Sequence, residues 1–263
     1  MKPMRSCSRS EVEHLRKYVT YAKLCVNEAW YFPPSHGYQY LVALALYSKA
    51  ITVAEAILVL LDAGFSDEAF GMTRTILDIF ITLRYIANKD TDERAKRYAQ
   101  YGAKSSALWA EIVQFYWPER AKPLPDRTKE VAATFPNPHR WSGKSVRDMA
   151  YEPDTVEVDP KTGKPFAHDV TYRIIFAWTS RYVHPTVDAL KNHLVQAGHD
   201  NFTVRSRNRQ DMAHLAAVNV ATYLSSTMIA FYRCMGDPQP DRLSRWTKAL
   251  VTHIGSRHLE KNE

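Results

Sequence analysis

Apolar residues recur every three or four positions through four consecutive long segments of this chain, and the segments are joined by short polar breaks. That period belongs to amphipathic α-helices, and short joins make sequential helices antiparallel neighbours. The first segment, Ser10 to Trp30, places Leu15, Tyr18, Ala22, Cys25 and Ala29 on one stripe and stops at Pro33-Pro34. The second runs from about Tyr38 to Ala63, with Gly64 suited to the residue just past a helix end. Ser66 is positioned to cap a third helix to about Asn88, with Asp67 and Glu68 complementing its positive end. Asp90 and Glu93 have the spacing of a capping box for a fourth, which ends before Pro118.

The pattern loosens between Pro118 and Ala167. Residues 126–133 can form a short helix, and Ser145 with Asp148 has capping-box spacing for another, to about Tyr151. Val156 and Val158 alternate before Asp159-Pro160-Lys161-Thr162-Gly163, so a small β-hairpin is expected near Val156 and Phe166. Helix is expected again from Asp169 to His184, from Pro185 to about Gln196, from Ser206 to Cys234 and from Asp241 to Ser256. Only 9 Gly among 263 residues speaks further against an all-β fold, which needs many tight turns. The expected architecture is all-α: one helical bundle over residues 1–263, with an irregular insertion at 118–167.

Three separated cysteines, Cys7, Cys25 and Cys234, have no CxxC spacing, which fits a reduced, cytoplasmic chain. The N-terminal run has no apolar core behind its basic residues, so no signal peptide is expected. Leu41 to Leu61 is apolar, yet Lys49 and Glu55 interrupt it; a buried helix is expected there and no membrane association. The formal charge of +7 permits an acidic or nucleic-acid partner without requiring one.

Two constellations lie inside the helices. Asp78 sits in the apolar run Thr73-Arg74-Thr75-Ile76-Leu77-Asp78-Ile79-Phe80, four residues after Arg74 and on the same face. A buried carboxylate needs a partner, so a buried Arg74–Asp78 pair is expected, either fixing helix register or flooring a charged pocket. Ser180 and His184 also share a face, with His184 at a helix's negative end before Pro185. No nucleophile elbow surrounds Ser180, so a hydrogen-bonded cap competes with a nucleophile–base pair.

Gly64-x-x-x-Glu68-Ala69 with Arg74-x-x-x-Asp78, Trp141-x-Gly143-Lys144-Ser145, and Tyr172 followed by Ser180-x-x-x-His184-Pro185 together resemble the bacterial domain of unknown function 5677, over roughly Leu41 to Leu190. That family's pattern carries Glu where this chain has Asp78, which keeps the acid and shortens its reach. The resemblance implies a helical domain in which Arg74, Asp78, Tyr172, Ser180 and His184 converge, and it brings no established activity.

A third constellation opens the late helix: Arg205-Ser206-Arg207-Asn208-Arg209-Gln210-Asp211-Met212-Ala213-His214. Arg209-x4-His214 and Arg207-x6-His214 resemble the Arg-x4–6-His signature of HEPN ribonucleases, helical-bundle proteins of toxin and antiphage systems. The resemblance implies metal-free RNA cleavage, with His214 moving a proton and an arginine holding the scissile phosphate. It also implies a homodimer with the two His214 residues in one groove. Arg207 lies almost two full turns before His214, with Asp211 between them on that face to orient the imidazole.

Glu11-x-x-His14 and Asp211-x-x-His214 resemble half of a di-iron site, but the further inward carboxylates are scarce, so no metal and no cofactor is expected. Trp109, Tyr116, Trp117 and Trp178 fall at helical spacing and are expected in the core. Two functions follow: an RNA-cleaving toxin or antiphage effector, or a non-catalytic module binding a protein or small ligand around Arg74, Asp78 and His184.

Overall fold

Four long helices follow one another at the start of the chain: α1 (Arg9–Ala29), α2 (Gly37–Asp62), α3 (Ser66–Asn88) and α4 (Thr91–Tyr116). A computed structural model describes residues 9–29, 37–137, 139–154, 163–164, 168–184, 194–196, 201–204 and 210–236. The expected stripe of α1 is the buried one, with Leu15, Tyr18, Ala22 and Cys25 all in the core. Gly64 adopts φ +82° just past α2. It closes a Schellman turn in which Phe65 N–H donates to the Leu60 carbonyl (2.8 Å) and Gly64 N–H to that of Leu61 (3.1 Å).

Two expected caps differ. Ser66 lies inside the first turn of α3; Phe65 takes the cap position without a side-chain bond. Asp90 precedes α4 in the left-handed region at φ 48°, and its side chain makes no capping bond. A capping side chain reaches back to the first turn from an extended backbone, and the left-handed conformation turns Asp90 away from it. Ser145 is extended and does form the expected box: its hydroxyl accepts from Asp148 N–H at 3.1 Å, and Asp148 Oδ2 accepts from Ser145 N–H at 3.1 Å.

The middle of the chain holds a 3-10 turn (Pro118–Arg120), α5 (Asp126–Ala133) and α6 (Val146–Tyr151). Helix α7 (Asp169–Thr171) passes without a break through a π-helical turn (Tyr172–Phe176) into α8 (Ala177–Val183). The last described helix is α9 (Gln210–Cys234). The expected hairpin near Val156 and Phe166, the helix from Asp241 to Ser256, and Arg207 and Arg209 lie outside the described residues.

A hairpin does occur, and its first strand falls at the end of the helix expected from Pro185 to about Gln196. β1 (Leu194–Gln196) pairs antiparallel with β2 (Phe202–Val204), Leu194 opposite Val204 and Gln196 opposite Phe202. Val195, Phe202, Thr203 and Val204 favour strand, and Gly198-His199-Asp200-Asn201 between them has turn composition. The pattern was too short for its period to decide.

Helix α3 is the axis of the fold, packed between α2, α8 and α9. Every residue from Ile79 to Ile86 is buried, as for a helix enclosed on all sides. Helices α2 and α9 are long and apolar enough to cross a membrane. Here both pack against α3, with Ala43, Tyr47, Ala54, Ile57, Val220 and Leu224 in the core. The α4 aromatics reverse expectation: Trp109, Tyr116 and Trp117 are exposed, while Trp178 packs edge-to-face on Phe70 at 5.3 Å. Ala95 is the one fully buried residue of α4, whose C-terminal half leaves the core.

Candidate functional site

The N-terminal half of α3 lays Glu68, Gly71, Arg74, Thr75 and Asp78 along one face, and the end of α8 brings Tyr182, Val183 and His184 over it. Between them is an open pocket of about 590 Å³. Helix α8 packs directly over Gly71, where a methyl would make ordinary van der Waals contact with Tyr182 Cβ at 3.4 Å. His184 is the C-cap of α8, its N–H donating to the Ser180 carbonyl at 3.2 Å. The imidazole thus sits at the helix's negative end, as expected.

The Arg74–Asp78 pair forms across one turn, with Nε to Oδ2 at 3.8 Å. It is half-buried rather than buried, with 25% and 34% of the two side chains exposed, because this face of α3 borders the pocket. Among the described residues Asp78 Oδ1 is enclosed and has no hydrogen-bond partner. Burial pushes the Asp78 carboxyl up to about 6, while the Arg74 charge pulls in the other direction. The Arg74 guanidinium lies 4.0 Å over the Phe176 ring, which stacks on Tyr172 at 4.4 Å. Tyr172 is buried, and that burial, with the Asp78 charge in second place, pushes its phenol up to about 12. The π-helical turn supplies both rings, an irregularity common at functional sites.

The structure therefore gathers Arg74, Asp78 and His184 around one pocket, with Tyr172 behind it. Ser180 is not among the pocket's lining residues, and its hydroxyl donates to the Phe176 carbonyl at 2.5 Å. That bond directs the hydroxyl back along its own helix, away from a nucleophile's role. Tyr182 and Gly71 were missed in the sequence, although Glu68, Gly71, Thr75 and Asp78 already stand at helical spacing.

His214 lies in the first turns of α9, with Nδ1 3.5 Å from Glu11 Oε1 of α1. Only 15% of the His214 side chain and 13% of the Glu11 side chain are exposed. Asp211 is partly buried one turn earlier. Among the described residues, no three His, Cys, Asp or Glu side chains cluster as metal ligands would.

A second charged group escaped the sequence reading altogether. Arg84, on the enclosed part of α3, donates from Nε to Asp154 Oδ2 at 3.2 Å and from Nη2 to the Glu152 carbonyl at 2.7 Å. Arg233 of α9 reaches the same Asp154 oxygen at 3.1 Å. Beside it, Glu152 accepts from Arg94 (2.8 Å), Lys144 (2.9 Å) and Asn88 (3.0 Å). Burial alone would raise the Glu152 carboxyl, but these three donors outweigh it and hold the group down at about 2. The arrangement ties residues 152–154 to α3, α4 and α9.

Residues 40–202, more than half of the chain, match the model of the family of unknown function DUF5677. The chain belongs to that family. No curated protein and no solved structure matches it. The DUF5677 region includes every residue lining the Arg74–Asp78–His184 pocket and excludes Glu11, Asp211 and His214. The likeness to HEPN ribonucleases gains no support from these comparisons.

Proposed function

We propose that this DUF5677 chain is a non-catalytic binding module whose pocket takes a small zwitterionic ligand, such as a free amino acid or the charged end of a peptide. One observation carries the reading: an enclosed Asp78 oxygen that has no partner among the described residues, one turn from a stacked guanidinium, at the wall of an open pocket. The pocket's volume falls in the range of small-molecule sites. Arg74 and His184 suit an anionic group, Asp78 and Glu68 an ammonium, and the stacked Arg74 needs little ordering to bind. Ser180 is tied to its own helix and does not serve the pocket as an activated nucleophile.

Thermal melts with free amino acids and dipeptides test the reading. A ligand at one hundred times its Kd stabilises by about 2.7 kcal/mol. The parent should show such a rise with at least one probe, and Arg74→Ala and Asp78→Asn should lose it. Flat melts across the whole set at millimolar ligand would overturn it.

The second reading, RNA cleavage by a HEPN-like toxin or antiphage effector, draws on Glu11 beside His214, because a carboxylate next to an imidazole can orient it as a base. The enclosure of that pair favours the pocket reading. Incubation with total RNA, with and without His214→Ala, separates the two.

A further inference from the structure

The C-terminal half of α4 is exposed and almost free of charge. From Ser105 to Trp117 the chain carries a single ionisable acid or base of ordinary charge at neutral pH, Glu111. Trp109 is 63% exposed, Tyr116 65% and Phe115 79%, and Ile112 and Trp117 are exposed as well. Trp109, Ile112 and Tyr116 share one face, and at about 200 Å² for each side chain they offer roughly 350 Å² there, while Phe115 and Trp117 lie about 100° to either side of Tyr116. That is within the range a monomer leaves open in one patch, and a little under half of the about 800 Å² per partner in a standard interface.

The spacing says what covers it. Gly102, Ser105, Trp109, Ile112 and Tyr116 are separated by three, four, three and four residues, the seam of a two-helix coiled coil. All five are exposed. The seam is graded, small at its N-terminal end and large at its C-terminal end. A parallel partner would set large against large and leave a gap beside the small residues. An antiparallel copy resolves both: with a two-fold axis at Trp109, Tyr116 of each chain lies over Gly102 of the other and Ile112 over Ser105. A Cβ built on Gly102 meets nothing within 4 Å, so room for a tyrosine ring exists there. Glu111 is two residues from Trp109, about 200° around the helix, so its like charge is kept off the seam.

We infer that α4 is a homodimerisation helix, pairing antiparallel with α4 of a second copy of this chain about an axis at Trp109. The interface is separate from the Arg74–Asp78–His184 pocket and does not depend on what that pocket binds.

Sedimentation equilibrium of the full chain, with circular dichroism to confirm folding, tests it. The parent should sediment at twice the chain mass. Trp109→Glu should be monomeric with unchanged helicity, because the position is exposed in the monomer. Gly102→Trp should also be monomeric, since it adds apolar surface yet collides with the partner's Tyr116. Trp109→Cys should form a disulfide-linked dimer on mild oxidation, beyond any seen for the parent's own cysteines. A monomeric parent overturns the inference, including one that instead binds anionic vesicles through this face. A dimer that survives both Trp109→Glu and Gly102→Trp overturns it too.

Discussion

Replacing Asp154 by Ala removes the carboxylate that two guanidiniums share inside the protein. Its side chain is 0% exposed, and that of Arg84 is 2% exposed. At an effective dielectric of about 20, unit charges near 3 Å attract by about 5 kcal/mol, against a desolvation penalty of several kcal/mol per ion. The intact group is therefore nearly balanced in net energy, whereas removing one member typically costs about 3–5 kcal/mol. Arg84 and Arg233 would be left side by side with their mutual repulsion no longer offset. For a domain of this size each kcal/mol lowers Tm by roughly 2–4 °C, so the midpoint should fall by roughly 10 °C. Urea titrations followed by circular dichroism read the difference directly. Asp154→Asn separates charge from volume, because it keeps the shape and one acceptor, and it should recover only a minor part of the loss. Buried pairs are weakly screened, so the loss should persist in high salt. An Asp154→Asn protein that unfolds at the parent's midpoint would refute the buried charge group.

Glu152→Gln should destabilise the protein above the ordinary Glu range. The folded carboxyl is held at about 2, so its contribution is present above about pH 4.5 and fades as pH falls toward 2, where parent and variant melts should converge. Asp78 works in the opposite sense. Its folded carboxyl is raised to about 6, so the folded state binds the extra proton between about pH 4 and 6, and stability falls as pH rises through that window. Asp78→Asn should remove that slope in pH-dependent urea titrations; an unchanged slope would assign it to other groups. His214→Ala should leave total RNA as intact as the parent does, and RNA cleaved by the parent but spared by the variant would restore the nuclease reading.

The helices were legible because each carries its own evidence within a few turns: the buried stripe Leu15, Tyr18, Ala22 and Cys25, the Schellman turn at Gly64, the box at Ser145 and Asp148. Arg74 and Asp78 were legible as a pair for the same reason, since one helical turn joins them. Caps at Ser66 and Asp90 were misplaced because a cap depends on the backbone angle of one residue, which composition does not fix. Contacts between distant segments left no local trace. Arg84 and Asp154 stand seventy positions apart, and nothing in the apolar run around Arg84 shows that its counter-charge arrives from the segment after α6. Likewise Glu11 meets His214 only because α1 and α9 pack together. The exposed seam of α4 has the same three-to-four spacing as a core helix. Periodicity fixes which residues share a face; what that face meets is decided by where the helix lies among the others.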